Sequence, residues 1–211
     1  MPIPYTKLVI EHFKNPHNVG EIPDADVKVT EGSPACGDMI TLYLKIDPET
    51  QKIVDVKFKS YGCASNIATA SIITDLVKGK TVEEAKNITW KDAAEALGGL
   101  PPVKVHCSVL AADALHSAVE LYLEKNGLVS EKEPTTVDKV YERLSHVMNP
   151  ETGIDIVKSR IVKSVIVNSG VVEIVLGIGE NSQFADNIKE EIIERLQYLW
   201  DVKEIKVIFK E

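Results

Sequence analysis

Three cysteines, an aspartate and a histidine carry the chemistry available to this sequence. Cys36 lies in Gly32-Ser33-Pro34-Ala35-Cys36-Gly37-Asp38, Cys63 in Tyr61-Gly62-Cys63-Ala64-Ser65, and Cys107 directly follows His106. Thiolate is the form that ligates metal and attacks sulfur, and a helix N-terminus favours it through unpaired N–H groups and partial positive charge. Each thiol falls at the edge of an expected element: Cys36 in a turn between strands, Cys63 where a strand gives way to a helix, Cys107 before a helix near Ser108. Taken singly, each cysteine reads as a small buried hydrophobe, Asp38 as a turn residue and His106 as a cap or satisfied polar group. Taken together, Cys36, Asp38, Cys63, His106 and Cys107 offer donors for one tetrahedral thiophilic centre. Three sulfurs with a nitrogen or oxygen donor suit zinc, and equally an iron-sulfur cluster with one weaker ligand. The chain has no C-x-x-C pair, so the fold must assemble the site from distant loops. An oxygen or imidazole in place of a fourth thiolate makes a cluster easier to lose, an advantage in a protein that hands its cluster on. A third reading makes Cys107 a nucleophile with His106 as base, but adjacent side chains point apart in most backbones. His12, His17, His116 and His146 have no supporting context and read as structural or surface residues.

The elements that must position these residues follow from periodicity. A short helix is expected over Tyr5 to Phe13, opened by Pro4 and stopped before Pro16. Ile40, Leu42, Leu44 and Ile46 alternate with Thr41, Tyr43 and Lys45; after the turn residues Asp47-Pro48-Glu49-Thr50, Val54, Val56 and Phe58 share the face of a second strand. A third strand near Val27 to Thr30 completes an antiparallel sheet. Ser65 is expected to cap a helix ended by Gly79; shorter helices follow at Val82 to Lys86 and Lys91 to Leu97, and a last one closes at Gly127. The segment from Gly127 to Thr135 reads as a linker. Beyond it come a helix over Thr136 to Val147, strands near Ile161 to Val167 and Val171 to Leu176, a long helix from Phe184 to Leu199, and a strand carrying Ile205, Val207 and Phe209. The expected fold class is α+β: a first domain over residues 1–127, a small antiparallel sheet with helices packed on it, and a second small α+β domain over 135–211.

Composition narrows the function. With 211 residues, 44% hydrophobic and 27% charged, and no apolar run near the roughly 18 residues that span a bilayer, a membrane protein is not expected. A net charge of −8 without basic clustering disfavours nucleic acid. An odd count of 3 cysteines argues against a disulfide framework, and the N-terminal residues carry no targeting signature, so a cytoplasmic protein is expected. Gly79-Lys80-Thr81 lacks the upstream glycine of a phosphate-binding loop, and Gly177-Ile178-Gly179-Glu180-Asn181-Ser182 lacks the third glycine of a dinucleotide fingerprint; neither reads as a nucleotide site.

Pro34-Ala35-Cys36-Gly37-Asp38, Tyr61-Gly62-Cys63-Ala64 and Leu100-Pro101-Pro102-Val103-Lys104-Val105-His106-Cys107-Ser108 resemble, in order, the three signature segments of the IscU/NifU-type iron-sulfur cluster assembly scaffolds. The resemblance implies a non-enzymatic carrier that receives sulfur from a cysteine desulfurase, combines it with iron into a transient 2Fe-2S cluster and passes that to apo-proteins such as a ferredoxin. It implies Cys36, Cys63 and Cys107 as cluster thiolates, Cys107 as persulfide acceptor, Asp38 as the acidic residue of iron entry and cluster lability, and His106 as an alternative ligand. A zinc-binding module using the same residues is the other reading, with zinc also expected in the protein as isolated. Leu100, Pro101, Pro102, Val103 and Lys104 are similar to a segment recognised by a DnaK-type chaperone, with the two prolines expected to hold an extended backbone; a rigid loop that merely positions His106 and Cys107 is the other reading. The second domain resembles the SufT-type domain through Asn149-Pro150-Glu151, Asp155-Ile156-Val157 and the strands from Ile161 to Leu176. The cysteine of that family is absent after the second strand, so docking or dimerisation is its expected role. Homo-oligomerisation is left open.

Overall fold

The computed structural model describes residues 5–33, 37–129, 133–149, 151–152 and 154–210. Cys36, Pro34, Ala35 and Pro4 lie outside them. The chain forms two compact units, Met1–Tyr122 and Leu123–Glu211. Each combines a three-stranded sheet with helices, an α+β arrangement.

In the first unit, β1 (Val27–Ser33), β2 (Asp38–Ile46) and β3 (Ile53–Tyr61) form an antiparallel sheet with β2 in the middle. Flanked on both sides, β2 buries Thr41 and Tyr43 as well as the alternating Ile40, Leu42, Leu44 and Ile46. Val54 does not join Val56 and Phe58 on the inner face: it is 51% exposed, while Ile53 is buried. The ladder shifts register between Lys45 and Ile46, where Ile53 rather than Val54 pairs with Ile46. A bulge of this kind inserts one residue and breaks strict alternation.

Helix α1 (Lys7–Lys14) starts at Thr6, whose hydroxyl accepts the Val9 N–H at 3.1 Å and donates to the Leu97 carbonyl at 2.5 Å. Helix α2 (Ala64–Val77) is buried nearly all round; its Ala, Ser and Thr residues let α1 and the sheet approach closely. Its N-cap is Cys63, not Ser65, which is buried within the first turn. Gly62, at φ +153°, turns the chain at the end of β3 and delivers Cys63 in the extended conformation a cap requires. Gly79, at φ +83°, follows the C-cap as expected. Helices α3 (Val82–Lys86) and α4 (Trp90–Ala96) each open with a complete capping box, Thr81 with Glu84 and Thr89 with Asp92.

Helix α5 (Val105–Lys125) begins three residues before Ser108. Pro102–Lys104 forms a 3-10 turn, with the Lys104 N–H bonded to the Pro101 carbonyl at 2.7 Å, and runs directly into it. Pro101 keeps an extended ψ of 141°, but Pro102–Lys104 form a turn in place of the expected extended stretch: a proline at the first helical position has the right φ and no N–H to waste.

In the second unit, α6 (Val137–Leu144), capped by Thr136, precedes β4 (Val162–Asn168) and β5 (Val171–Leu176). Ser169 and Gly170 both take positive φ in the two-residue hairpin turn between the strands. Helix α7 (Ala185–Leu196) then returns the chain so that β6 (Glu204–Phe209) lies parallel to β5. Val140, Leu144, Ile188, Ile192 and Leu196 pack with Val172, Ile174 and Leu176 into one core.

Candidate functional site

The end of β3, the start of β2 and the first turn of α5 converge. Asp38, the first residue of β2 and not a turn residue, accepts the Cys63 N–H through Oδ1 at 3.0 Å and faces His106 Nε2 through Oδ2 at 3.1 Å. Cys107 Sγ is 3.7 Å from the same Oδ2, 3.6 Å from Cys63 Sγ and 3.5 Å from His106 Nε2. Donors around a tetrahedral zinc or iron centre, with bonds of about 2.0–2.3 Å, stand roughly 3.3–3.8 Å apart. Asp38, His106 and Cys107, expected as ligands from the sequence, therefore already hold spacings close to one coordination sphere, with Cys63 Sγ beside that of Cys107. Cys36, the fifth, lies outside the described residues; in the chain it is two positions from Asp38. The expectation that His106 and Cys107 point apart is not met: in the first turn of α5 the long imidazole reaches back to the sulfur of its neighbour.

Local backbone chemistry explains this convergence. A Cβ added at Gly62 would fall on Asp38 Oδ1 and 2.7 Å from Asn66 Nδ2, so only glycine lets the carboxylate approach the Cys63 amide. Asn66, fully buried one turn into α2, places Nδ2 3.3 Å from the Met39 carbonyl, 3.2 Å from the Tyr61 carbonyl and 3.0 Å from Ser60 Oγ. Met39 and Tyr61 are the last pair of the β2–β3 ladder, so Asn66 closes the strand ends that carry Asp38 and Cys63. Thr69 Oγ1 donates to the Cys107 carbonyl at 3.1 Å and ties α2 to the first turn of α5. Nothing in the sequence pattern marks Asn66 or Thr69, since both read as ordinary residues of a helix that periodicity alone describes.

The electrostatics also depart from expectation. Helix-end placement predicts an activated thiol at Cys107, but burial pushes that thiol well up, followed by the negative charge of Cys63 and a hydrogen bond with it. Desolvation of a buried sulfur outweighs the partial charge of the helix end. Lys104 is held above its ordinary value first by the charge of Cys63, which makes its ammonium a counter-ion of the pocket. Cys63 is half-buried, and the His106 side chain is 58% exposed against 14% for Asp38, so the pocket opens to solvent on the imidazole side.

Comparison with known proteins decides the lineage. The NifU-like N-terminal domain family matches residues 4–129. The chain belongs to that family. Residues 137–207 match a second family, described as iron-sulfur cluster assembly protein. Among curated relatives of this NifU-like chain, the iron-sulfur cluster assembly scaffold protein IscU 1 of Archaeoglobus fulgidus is 49% identical over 140 residues, 66% of this chain and 90% of its own. The IscU scaffold protein of Azotobacter vinelandii is 49% identical over 128 residues, 59% of this chain and 98% of its own. A Drosophila melanogaster relative, 48% identical over 57% of this chain and 79% of its own, is named an iron-sulfur cluster assembly enzyme. No helix among the described residues of the NifU-like chain is long and apolar enough to cross a membrane.

Proposed function

We propose that the protein is a scaffold on which iron and desulfurase-derived sulfur are combined into a transient 2Fe-2S cluster, which then passes to cytoplasmic apo-proteins. The observation that carries this reading is the spacing of Cys107, Asp38 and His106 as donors to one thiophilic centre, with Cys63 Sγ 3.6 Å from that of Cys107, in a chain of the NifU-like family. The zinc-binding module is not favoured, because the relatives are named for iron-sulfur assembly; zinc in the isolated protein would occupy the same donors. In this reading the protein is a carrier and not an enzyme, since its thiols are both reactant and binding site.

Cys107 is the persulfide acceptor. Its thiol passes its proton to Asp38 or His106, the sulfur attacks the terminal sulfur of the desulfurase persulfide, and the desulfurase cysteine leaves as thiolate. Burial keeps Cys107 protonated and inert until a partner delivers sulfur, which suits a group that must resist stray oxidation. Each bound sulfur then needs two electrons to become sulfide, for which a ferredoxin is the fitting donor. Cys36, Cys63 and Cys107 hold the cluster. Asp38, a hard oxygen donor, admits iron and leaves the cluster exchangeable, with exposed His106 as the alternative ligand. Leu100, Pro101, Pro102, Val103 and Lys104 present a partner surface, with Val103 69% exposed; a DnaK-type chaperone that took the segment as an extended strand would unwind the 3-10 turn and loosen His106 and Cys107. The second unit docks partners or a second copy of the chain, because every cysteine precedes it.

The test is anaerobic mixing of apo-protein with ferrous iron, cysteine and a cysteine desulfurase. The expected result is visible sulfur-to-iron charge-transfer absorption that decays as an added apo-ferredoxin gains its cluster. A colourless protein that holds zinc tightly would overturn the reading.

A further inference from the structure

At the far end of α2, away from the sulfur pocket, a second group of ligating side chains gathers. His12 near the end of α1, His17 in the following loop and Asp75 in the last turns of α2 bring one ligating atom each to within 4.8 Å of one another. The imidazole rings of His12 and His17 lie 4.7 Å apart at 55°, and His17 Nδ1 is 2.6 Å from Asp75 Oδ2. The surrounding contacts fix each donor. Ser71 Oγ accepts the His17 backbone N–H at 2.8 Å and engages His12 Nδ1 at 2.8 Å, which fixes the orientation of the buried ring. Asn18 Nδ2 donates to Asp75 Oδ1 at 3.1 Å and to Thr74 Oγ1 at 3.0 Å, so the carboxylate is oriented from its other oxygen. Such outer hydrogen bonds are what aim first ligands in metal sites.

We propose that His12, His17 and Asp75 form a second metal site, one that takes a divalent ion of borderline softness such as Zn2+, Fe2+ or Co2+. Two imidazoles and a carboxylate are the donor set such ions prefer, and no thiolate takes part. The His17 and Asp75 side chains are 51% and 33% exposed, which gives an ion an entry path and leaves its remaining positions to water. Cys63 and Asp75 stand twelve residues apart on one helix line, about 18 Å, so one ion cannot serve both sites. The proposal is independent of the scaffold reading.

Anaerobic titration of the full chain with Co2+ separates the two sites by colour. Thiolate-bound Co2+ gives intense sulfur-to-metal charge transfer, whereas imidazole and carboxylate ligation gives only weak d–d bands. The expected result is a second bound equivalent that adds d–d absorption without further charge transfer. His17→Ala and Asp75→Asn, both at partly exposed positions, each weaken that equivalent at least tenfold and leave the thiolate signal unchanged. Saturation without a thiol-independent equivalent, or its retention in both variants, overturns the proposal. Loss of the charge-transfer band alone would count against the sulfur pocket and leave this site standing.

Discussion

The two units share a plan in outline and diverge in sheet topology and at one junction. Each has a three-stranded sheet with helices on it, and each leads a strand into a helix through a glycine-containing segment: Tyr61-Gly62-Cys63 before α2, and Gly177-Ile178-Gly179-Glu180-Asn181-Ser182 before α7. In the first, the glycine lets a carboxylate from a neighbouring strand reach the helix end, and the residue at the cap is a thiol. In the second, a side chain at Gly177 would meet the aliphatic part of Lys163, and α7 opens at Phe184 without a side-chain cap. The two sheets differ in topology, antiparallel throughout in the first unit and with β6 parallel to β5 in the second, and the two junctions differ in the residues that could do chemistry.

The comparison can be broken most severely at the sulfur. Cys107→Ser is expected to abolish persulfide pickup if Cys107, rather than its neighbour Cys63, is the acceptor; intact-mass analysis after desulfurase turnover should show no added sulfur, and a one-sulfur shift on the variant would refute the assignment. Next come the paired glycines. Gly62→Ala forces Cβ into Asp38 at a left-handed φ and is expected to cost about 2–3 kcal/mol in denaturant unfolding, with loss of cluster yield. Gly177→Ala needs only the flexible Lys163 side chain to swing away, within about 0.5–1 kcal/mol and with cluster yield unchanged. Equal costs at the two positions would dissolve the contrast. Asp38→Ala lengthens cluster lifetime several-fold, about 1 kcal/mol on the exit barrier, read as slower decay of the visible absorption; faster decay would contradict its role in lability.

The smallest effect is a pH dependence confined to the first unit. His12 binds its proton less readily folded than unfolded, where its value is near 6.5. The unfolded chain therefore takes up more protons below that value, and stability rises with pH up to about 6.5 and is complete above it. Urea midpoints measured from pH 7.5 down to 5.5 should fall, and His12→Asn should flatten the slope. An unchanged slope would place the acid sensitivity elsewhere.

Much of this was legible from spacing because strands and helices bury one face and write a period into the chain. Ile40, Leu42 and Leu44 show period two, and β5 begins and ends at the residues expected. The outward turn of Val54 is not legible because a bulge leaves no mark in an apolar run, and the parallel pairing of β6 with β5 is a matter of topology that alternation does not encode. Helix α5 starts three residues before Ser108, because the 3-10 turn opened by a proline at its first position leads straight into it. In the pocket, the donor types were readable and their supports were not: Asn66 and Thr69 act on backbone carbonyls that belong to other elements. His12 and His17 looked like isolated histidines because their partners Ser71 and Asp75 lie more than fifty residues along the chain.

Residue identity by itself determined which atoms could ligate iron or accept sulfur, since donor softness belongs to the side chain whatever its surroundings. Only the folded chain decided that Cys107, Asp38 and His106 stand at coordination distance with Cys63 beside them, and that Cys107 is a shielded thiol rather than an exposed thiolate. Distance and dielectric are properties of packing between segments far apart in sequence, and no local pattern carries them.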